Sequence, residues 1–576
     1  MSEMQTEYPA HRDSRASLTA WREAQPDNAF LDDAHFRRAL EVYRDPQIHD
    51  DLDEDLEEFG AEVAGPIDEL ARQNDRPGHH PELDRWSDFG RRTEQIAHHP
   101  SYHEVGRRIY GSGVMAAYRD APNSVGALSR FYLSSYNGEA GHNCPLACTA
   151  GVIRVLQHLA PDRLRDRYLD GFLNPDYDEH LEGAQFMTEI QGGSDVGQNA
   201  TRARRADDGS WRLWGEKWFC SNVDADVFLM TARFAEDVEG TSGLGLFFVP
   251  RRLEDGELNH FRIRRLKDKI GTRAMASAEC DFEGAVAYHM GPEEEGFKNM
   301  MRHVINTSRL YNAFACLGSA RRAYVTAQTY SRFREAFGRP IVQYPLIQET
   351  IADVKAEVDA AVSGSMYLAA LQDRIDADLA TEAGEDFFRM ALNLNKVRTA
   401  KLSRWAATRG IEVLGGNGAI ETFSVLPRLL RDSIVTENWE GTHNTLQMQV
   451  MRDIDKYGVH EGFFEILSEL VEASAESEGQ RAETVRREMR QSKVALQEVA
   501  SMDREAATLQ MRPLMDRLAR LMYASVRLWE RSQYPDAPSD VDDASLDHFI
   551  GRHIGTRPDP EDRSHRERLA LLAGID

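Results

Sequence analysis

The chain has 576 residues, and 41 % of them are hydrophobic, which is enough for several cores and excludes global disorder. Its formal net charge of −26 disfavours a general nucleic-acid surface, because phosphates would be repelled. There is no apolar run of membrane-spanning length, the polar first residues lack the apolar segment of a secretory signal, and the cysteines are few and scattered, so we expect a cytoplasmic protein without disulfides or a metal site.

Helical patterns dominate residues 1–183, which we interpret as an N-terminal helical domain. Stretches such as "DDAHFRRALEVYRD" and "LAPDRLRDRYLDGFL" carry apolar residues at spacings of three and four. From 184 to 294 the pattern changes to short runs rich in β-branched and aromatic residues, including "WRLWGEKWFC" and "GLGLFFVP", separated by turns. This second segment predicts a compact β-domain, either a small barrel or a sandwich.

Long helical periods return in residues 295–456 and predict a C-terminal four-helix bundle. A fourth helix of the bundle is predicted to begin at Glu440. Residues 457–576 are interpreted as a helical extension with a polar linker and a charged tail. Because "GGNG" (415–418) ends a helical pattern, it predicts a glycine helix stop and not a dinucleotide fingerprint. The first three bundle helices are predicted at 296–338, 346–379 and 386–416.

The string "MTEIQGGSDV" (187–196) is the most specific local signal. Its paired glycines let a ligand approach the backbone, and Thr188 and Ser194 supply hydroxyl groups. On a rigid β-domain, such a loop could hold a planar polar ring or a phosphate. Taken alone, the same string is equally well explained as a turn.

Four further strings follow this one along the chain: "GEKWFCSN" (215–222), "SRFREAFGRPIVQYPLIQETIADV" (331–354), "EVLGGNG" (412–418) and "WEGTHN" (439–444). Together the five strings resemble the acyl-CoA dehydrogenase flavoprotein family. With "RLKDKIGTR", "LPRL" and the helical extension, the chain is similar to the AidB-type branch of that family. The resemblance implies a mostly α fold with a central β-domain, FAD as the cofactor and a homotetramer built from two dimers.

The same resemblance implies which residues contact FAD. The isoalloxazine ring would lie against the 187–196 loop and the next strand. Arg334 and Phe337 of a neighbouring subunit would meet the pyrophosphate and adenine half, with Glu412 and Gly416 near the adenosine end. The full implied set is Met187, Thr188, Gly193, Ser194, Phe219, Ser221, Arg334, Phe337, Gln348, Glu412, Gly416, Thr442 and Asn444.

Members of this family use a carboxylate to remove the proton α to the thioester carbonyl while a hydride leaves the β-carbon for the flavin. The resemblance gives that role to Glu440, with Trp439 and Ser194 in the substrate pocket. Isovaleryl-type relatives carry the base just before an Arg-Leu pair, but here Ser308 occupies that position. The residues alone also allow Glu440 to be a first-turn acid favoured by the helix dipole, and Glu437 is interpreted as a surface or capping acid.

Two features depart from an ordinary member of the family. Where others carry an acidic residue and an arginine that grip the CoA nucleotide, this chain has Ala276 and Ala278. In residues 457–576 acidic side chains outnumber basic ones, so we expect packing there and no DNA binding.

The leading hypothesis is an FAD-dependent dehydrogenase of an acyl-CoA or related thioester. It would pass electrons to an electron-transfer flavoprotein or another acceptor. The alternatives are an AidB-like stress- or alkylation-response flavoprotein with little turnover, and a flavin oxidase or dehydrogenase that acts on a non-CoA substrate.

Overall fold

A computed structural model describes residues 9–45, 47–48, 51–120, 122–235, 237–534 and 540–575. The polar start of the chain and most of the predicted linker lie outside the described residues. Within them, helices surround one closed sheet, which confirms the predicted fold class of a mostly helical protein with a central β-domain. No helix in these ranges is long and apolar enough to cross a membrane.

Helices of the N-terminal part are α1 (Pro9–Glu23), α2 (Ala34–Tyr43), α3 (Leu52–Glu62), α4 (Asp68–Asn74), α5 (Pro100–Gly111), α6 (Ser124–Ser134), α7 (Asn143–His158) and α8 (Asp162–Phe172). Helix α2 illustrates how the sequence sets them. Asp33 caps it by accepting a hydrogen bond from the Phe36 N–H, and the buried Phe36, Ala39 and Leu40 form its inner face.

A hairpin interrupts these helices, and the helical interpretation of residues 1–183 missed it. Its strands, β1 (Glu82–Trp86) and β2 (Arg92–Ala97), pair antiparallel. Gly90 supplies the positive φ of 72° in the turn, where other residues would be strained. The hairpin strands are mostly exposed, so they lack the strong apolar alternation that identifies a strand.

The central sheet has seven strands: β3 (Gly183–Phe186), β4 (Arg202–Arg205), β5 (Trp211–Ser221), β6 (Val227–Arg233), β7 (Leu244–Pro250), β8 (Phe261–Leu266) and β9 (Ser277–His289). Five of them close into a barrel, one of the two predicted forms. Strand β6 pairs with β4 on one side and β7 on the other, and the β4–β5–β9–β7 pairings complete the ring. Strands β6 and β7 are buried along almost their whole length, which explains their continuous apolar runs.

The bundle follows as α9 (Gly296–Asn299), a π-helical segment (Met300–Ile305), α10 (Asn306–Phe333), the short strands β10 (Glu335–Ala336) and β11 (Arg339–Pro340), α11 (Pro345–Asp376), α12 (Glu382–Leu414), α13 (Leu426–Thr436) and α14 (His443–Tyr457). Gly415 ends α12 with a φ of 61°, as predicted. The helix predicted to begin at Glu440 begins instead at His443. Its cap is Thr442, whose hydroxyl accepts from the Thr445 N–H, so Glu440 lies in a loop and not in a first turn.

The extension consists of α15 (His460–Ala473), α16 (Ala475–Ala500), α17 (Arg504–Ser532), α18 (Asp540–His553) and α19 (Arg563–Leu572). Helix α17 packs on the bundle, where the buried Tyr523 hydroxyl donates to Asn395 Oδ1 at 2.7 Å. The predicted charged tail folds into α18 and α19, and Leu569 and Leu572 pack against Ala352 of α11. The three boundaries between the four predicted domains stay predictions.

Candidate active site

A cavity of about 930 Å³ lies where the barrel meets α7, α10, α14 and the loop between α13 and α14. We call it the central cavity. Part of its wall is apolar and comes from the π-helical segment, α13 and α14, through Met301, Ile305, Ile434, Val435 and Met448. The predicted site residues that line it are Met187, Thr188, Gly193, Ser194, Phe219, Ser221, Trp439, Glu440 and Thr442.

The loop of residues 437–442 has a constrained backbone. Glu440 adopts a φ of 57° and Gly441 a φ of 104°, and the left-handed region is costly for a residue with a Cβ. Buried Lys396 of α12 donates to the carbonyls of Glu437 and Gly441, each at 2.9 Å. Arg309 of α10 donates to the Glu440 carbonyl at 3.1 Å. Two buried cations therefore hold the loop in the conformation that turns Glu440 toward the central cavity.

The environment of Glu440 favours its protonation near neutral pH. Burial raises the pKa of Glu440 to about 7, although Arg309, Lys396 and a hydrogen bond from Gln185 act in the opposite direction. Gln185 of β3 donates from Nε2 to Glu440 Oε1 at 2.8 Å. Burial also lowers the pKa of Arg309 to about 10 and that of Lys396 to about 8. A carboxylate with such a pKa can exchange a proton at physiological pH.

Glu437 has a different environment, although it is only three residues away. Its carboxylate pairs with Arg404 at 2.8 Å and with His443 at 3.3 Å. Burial acts to raise the pKa of Glu437, but these two partners lower it overall. Glu437 is thus an ion-paired acid at the end of α13, and its side chain is only 13 % exposed.

The 187–196 loop is held by contacts on the side away from the central cavity, and it presents polar groups on the side that faces the cavity. Buried Lys217 pairs with Glu189 at 2.7 Å, and the Trp218 N–H donates to the Thr188 carbonyl at 2.8 Å. On the cavity side, Ser194 Oγ lies 2.9 Å from Thr445 Oγ1 of α14. A rigid loop with exposed hydroxyl groups can present hydrogen-bonding atoms to a ligand in a defined geometry.

The remaining predicted cofactor contacts do not line the central cavity. Asn444 is exposed, and its Oδ1 accepts from Arg512 of the extension at 3.2 Å. Phe337 is 98 % exposed, and Glu412 pairs on the surface with Arg409. The other three are Arg334 and Gly416, both exposed, and Gln348, which is half-buried.

Ala276 and Ala278 belong to the barrel core. They are 2 % and 0 % exposed and pack among its buried apolar side chains. Neither lines the central cavity, so these positions offer no grip for a nucleotide. The charged side chains that line the cavity are Lys269, Arg309, Glu440, Arg452 and Arg504 among the described residues.

Sequence patterns did not identify Gln185, Lys396 or Arg504 as site residues. Gln185 lies on a strand two residues before the predicted loop, which was its only signal. Lys396 interrupts the apolar pattern of α12, and a cation at a buried helix position is a usable signal because charges are rarely buried without a partner. Arg504 begins α17, so its approach to the cavity depends on how the extension packs.

Family models match most of the chain. Residues 184–285 match the acyl-CoA dehydrogenase middle domain, and residues 294–454 match the acyl-CoA dehydrogenase C-terminal domain. Residues 21–179 match the N-terminal domain of the adaptive response protein AidB.

Individual relatives agree with these matches. The chain is 34 % identical to the putative acyl-CoA dehydrogenase AidB of Escherichia coli (strain K12), over 68 % of this chain and 71 % of the relative. It is 32 % identical to acyl-CoA dehydrogenase family member 11 of Caenorhabditis elegans, over 74 % and 70 %. Among solved structures, Caenorhabditis elegans ACDH-11 in complex with C11-CoA superimposes with a TM-score of 0.84 at 26 % identity and covers 93 % of both chains. The apo form of Bd2924 gives a TM-score of 0.79 at 29 % identity, over 88 % of this chain and 98 % of that one.

Proposed function

The chain belongs to the acyl-CoA dehydrogenase family of flavin oxidoreductases, and we propose that it desaturates an acyl-CoA thioester between Cα and Cβ with Glu440 as the base. The observation that carries this proposal is the Glu440 carboxylate, which lines a partly apolar cavity with its pKa raised to about 7. A base with this pKa is half ionised near neutral pH and can also accept a proton efficiently.

The residues of the central cavity fit FAD. Met187 and Phe219 offer apolar contact to a planar ring, while Ser194, Ser221 and Thr442 offer hydroxyl groups to its polar edge. Space at Gly193 is limited, because an added Cβ would lie 3.3 Å from Thr188 Cγ2. When bound, FAD would accept the hydride that leaves the β-carbon.

The acyl group would lie against the apolar part of the wall. Met301, Ile305 and Met448 line this part, and an acyl chain packed against them would exclude water from the side of Glu440. The thioester end would be near Glu440, which removes the α-proton. Arg309 and Lys396 do not need to contact the substrate, because both are engaged with backbone carbonyls of the 437–442 loop.

Some of the predicted FAD contacts do not line the central cavity. We propose that the chain forms a homotetramer, in which these residues would reach FAD. Arg334, Phe337 and Gln348 would reach the adenine half of FAD in a neighbouring subunit, with Glu412 and Gly416 at the adenosine end. Asn444 would contact FAD from the beginning of α14. The exposure of Phe337 supports this assignment, since a fully exposed phenylalanine suggests a covered position in the assembly. We expect the electrons to leave to an electron-transfer flavoprotein.

Anaerobic titration of the yellow holoenzyme with a panel of acyl-CoAs tests this function. We expect at least one acyl-CoA to bleach the flavin of the wild type, and Glu440→Gln to bleach at least about a hundredfold more slowly, because a positioned general base contributes that much or more. Glu437→Gln is the matched control and should bleach at a rate close to the wild type, since its carboxylate is ion-paired with Arg404.

Equal bleaching by wild type and Glu440→Gln would show that Glu440 is not the base. A second candidate function, oxidation of a substrate without CoA, is favoured by the burial of Ala276 and Ala278 in the barrel core. It predicts that no acyl-CoA bleaches the wild type, while an acyl thioester of N-acetylcysteamine or another small molecule does.

A further inference from the structure

A chain of hydrogen bonds joins three parts of the molecule and ends at Glu440. Ser308 Oγ donates to Gln185 Oε1 at 3.1 Å, and Gln185 Nε2 donates to Glu440 Oε1 at 2.8 Å. Ser308 is buried and belongs to α10, Gln185 belongs to β3, and Glu440 to the 437–442 loop. These two hydrogen bonds therefore connect the bundle, through the barrel, to the proposed base.

The order of donors along this chain has a chemical consequence. A glutamine amide has one accepting end and one donating end. Because Ser308 donates to the carbonyl end, the NH₂ end faces Glu440. An ionised carboxylate only accepts hydrogen bonds, so a facing NH₂ group stabilises the ionised form of Glu440 relative to the protonated form.

We propose that Gln185, oriented by Ser308, is a positioning residue that stabilises the ionised form of Glu440 and leaves Oε2 as the oxygen that takes the α-proton. This inference rests on the proposed function of Glu440. Oε1 is occupied by Gln185, and Oε2 accepts no hydrogen bond from the side chains that the structure describes. In the reaction the α C–H bond breaks and an O–H bond forms at Oε2. The electron pair left on Cα would form the double bond to Cβ, and FAD, when bound, would accept the hydride that leaves Cβ.

Other groups around Glu440 do not replace Gln185. Arg309 of α10 and Lys396 of α12 favour the ionised form through their charges, but their hydrogen bonds go to backbone carbonyls. Cys148 of α7 lies close enough to interact with the Glu440 charge, and the pKa of its thiol is raised by its hydrogen bond with Cys144 and by burial. Gln185 is thus the one described side chain that donates directly to the carboxylate.

The pH dependence of flavin reduction follows from this arrangement. The base must be ionised, so the rate rises with pH through the pKa of Glu440. Loss of the Gln185 donor removes stabilisation from the ionised form only, which raises that pKa and moves the rising limb to higher pH. Since a hydrogen bond to a charged group is stronger than one between neutral groups, we expect a shift of about one to two pH units in Gln185→Leu.

The test measures the pH profile of anaerobic flavin reduction by octanoyl-CoA, or by the acyl-CoA that bleaches fastest, for four variants. Gln185→Leu removes the donor, and Gln185→Glu keeps the shape but brings two carboxylates together, so its limb should move furthest. Ser308→Ala should move the limb in the same direction by less. Gln157→Leu is the matched control, since Gln157 is also half-buried and donates one hydrogen bond, to the Tyr118 carbonyl at 2.8 Å.

A second measurement does not depend on turnover. Infrared titration of the substrate-free holoenzyme follows the carboxylic acid band that disappears in Glu440→Gln. The pH at the midpoint of this titration should rise in Gln185→Leu and Gln185→Glu, and it should stay at the wild-type value in Gln157→Leu. The same order in both measurements would support the inference.

An unchanged limb and an unchanged midpoint in both Gln185 variants would overturn it. A uniform loss of rate at every pH, with the limb unmoved, would also overturn it, because a merely structural tie predicts that result. Failure of the proposed function looks different, since Glu440→Gln would then reduce its flavin as fast as the wild type. If Glu440→Gln is inactive and the Gln185 limbs do not move, only the inference about Gln185 fails.

Discussion

At the scale of a single residue, the conformation and burial of Glu440 destabilise the fold, while hydrogen bonds to its loop stabilise it. Its left-handed backbone and partly buried carboxylate both cost stability, the backbone on the order of 1–3 kcal/mol. The hydrogen bonds from Lys396 and Arg309 to carbonyls of the 437–442 loop offset part of this cost. Strain and burial at one acidic residue are typical of a site where function is maintained against stability.

Replacement of this carboxylate should therefore stabilise the protein. The pKa of Glu440 is raised from an ordinary value of 4.5 to about 7, so the folded state binds more protons than the unfolded state between these pH values. Wild-type stability consequently falls as pH rises through this window. We expect Glu440→Gln to be more stable than the wild type by about 2–3 kcal/mol at pH 8, with the gain shrinking toward pH 5. Thermal or denaturant unfolding of both holoenzymes across this range measures it.

The Glu437→Gln variant gives the opposite sign under the same conditions. The pKa of Glu437 is lowered by His443 and Arg404 against the effect of burial, so its carboxylate stabilises the fold above its unfolded pKa and loses that effect in acid. The variant should be less stable than the wild type at pH 8.

A loss of stability in Glu440→Gln at pH 8 would contradict the assignment of a buried, unfavourably ionised carboxylate.

The sequence predicted some of these residues and missed others for a physical reason. Glu440, Trp439 and Thr442 share one continuous string, so a motif can identify them together. Gln185 and Glu440 are 255 residues apart and meet only because the barrel packs against the bundle. A motif contains no information on such a contact. The motif therefore could not predict the hydrogen bond from Gln185 to Glu440, or the hydrogen bonds from Lys396 to the carbonyls of the 437–442 loop.

At the scale of helices and strands, periodicity predicted the long elements well. The predicted helices at 346–379 and 386–416 correspond to α11 and α12. Cap geometry was harder, since the start of α14 depends on the Thr442 hydroxyl and not on the apolar pattern. The β1–β2 hairpin was missed because an exposed hairpin lacks buried alternation.

Packing between α11 and α17 provides a test at this scale. A Cβ added at Gly364 of α11 would lie 2.4 Å from Cδ1 of the buried Tyr523 in α17. We expect Gly364→Ala to destabilise the protein by about 1–3 kcal/mol, because the tyrosine ring or the helix must move. Thermal unfolding measures the effect.

The matched control is Gly111→Ala, at the end of α5, where an added Cβ meets nothing within 4 Å. It should change stability by less than about 1 kcal/mol. If the two alanine variants unfold alike, α17 is not packed tightly against α11, and the extension is a looser appendage than the hydrogen bond of Tyr523 to Asn395 indicates.

At the scale of the whole molecule, exposed apolar residues indicate which surfaces are covered in an assembly. Phe337 is 98 % exposed and Leu346 is 77 % exposed, and both follow the end of α10. They belong to the string that the family resemblance assigns to contacts with the cofactor of a neighbouring subunit. Single exposed apolar residues are common on proteins, so it is the coincidence of this exposure with the position of the string that favours an interface here.

The side chain of Phe337 allows the proposed contact between subunits to be tested. We expect Phe337→Glu to weaken the assembly, because it places a charge in an apolar contact, and to lose FAD more readily than the wild type. Light scattering coupled to size exclusion measures the mass, and the ratio of flavin to protein absorbance after dilution measures retention. Phe89→Glu, at the equally exposed (93 %) tip of the β1–β2 hairpin, is the control and should change neither quantity. A smaller assembly that retains its FAD would separate the subunit contact from cofactor binding, and an unchanged assembly in Phe337→Glu would contradict the proposed interface.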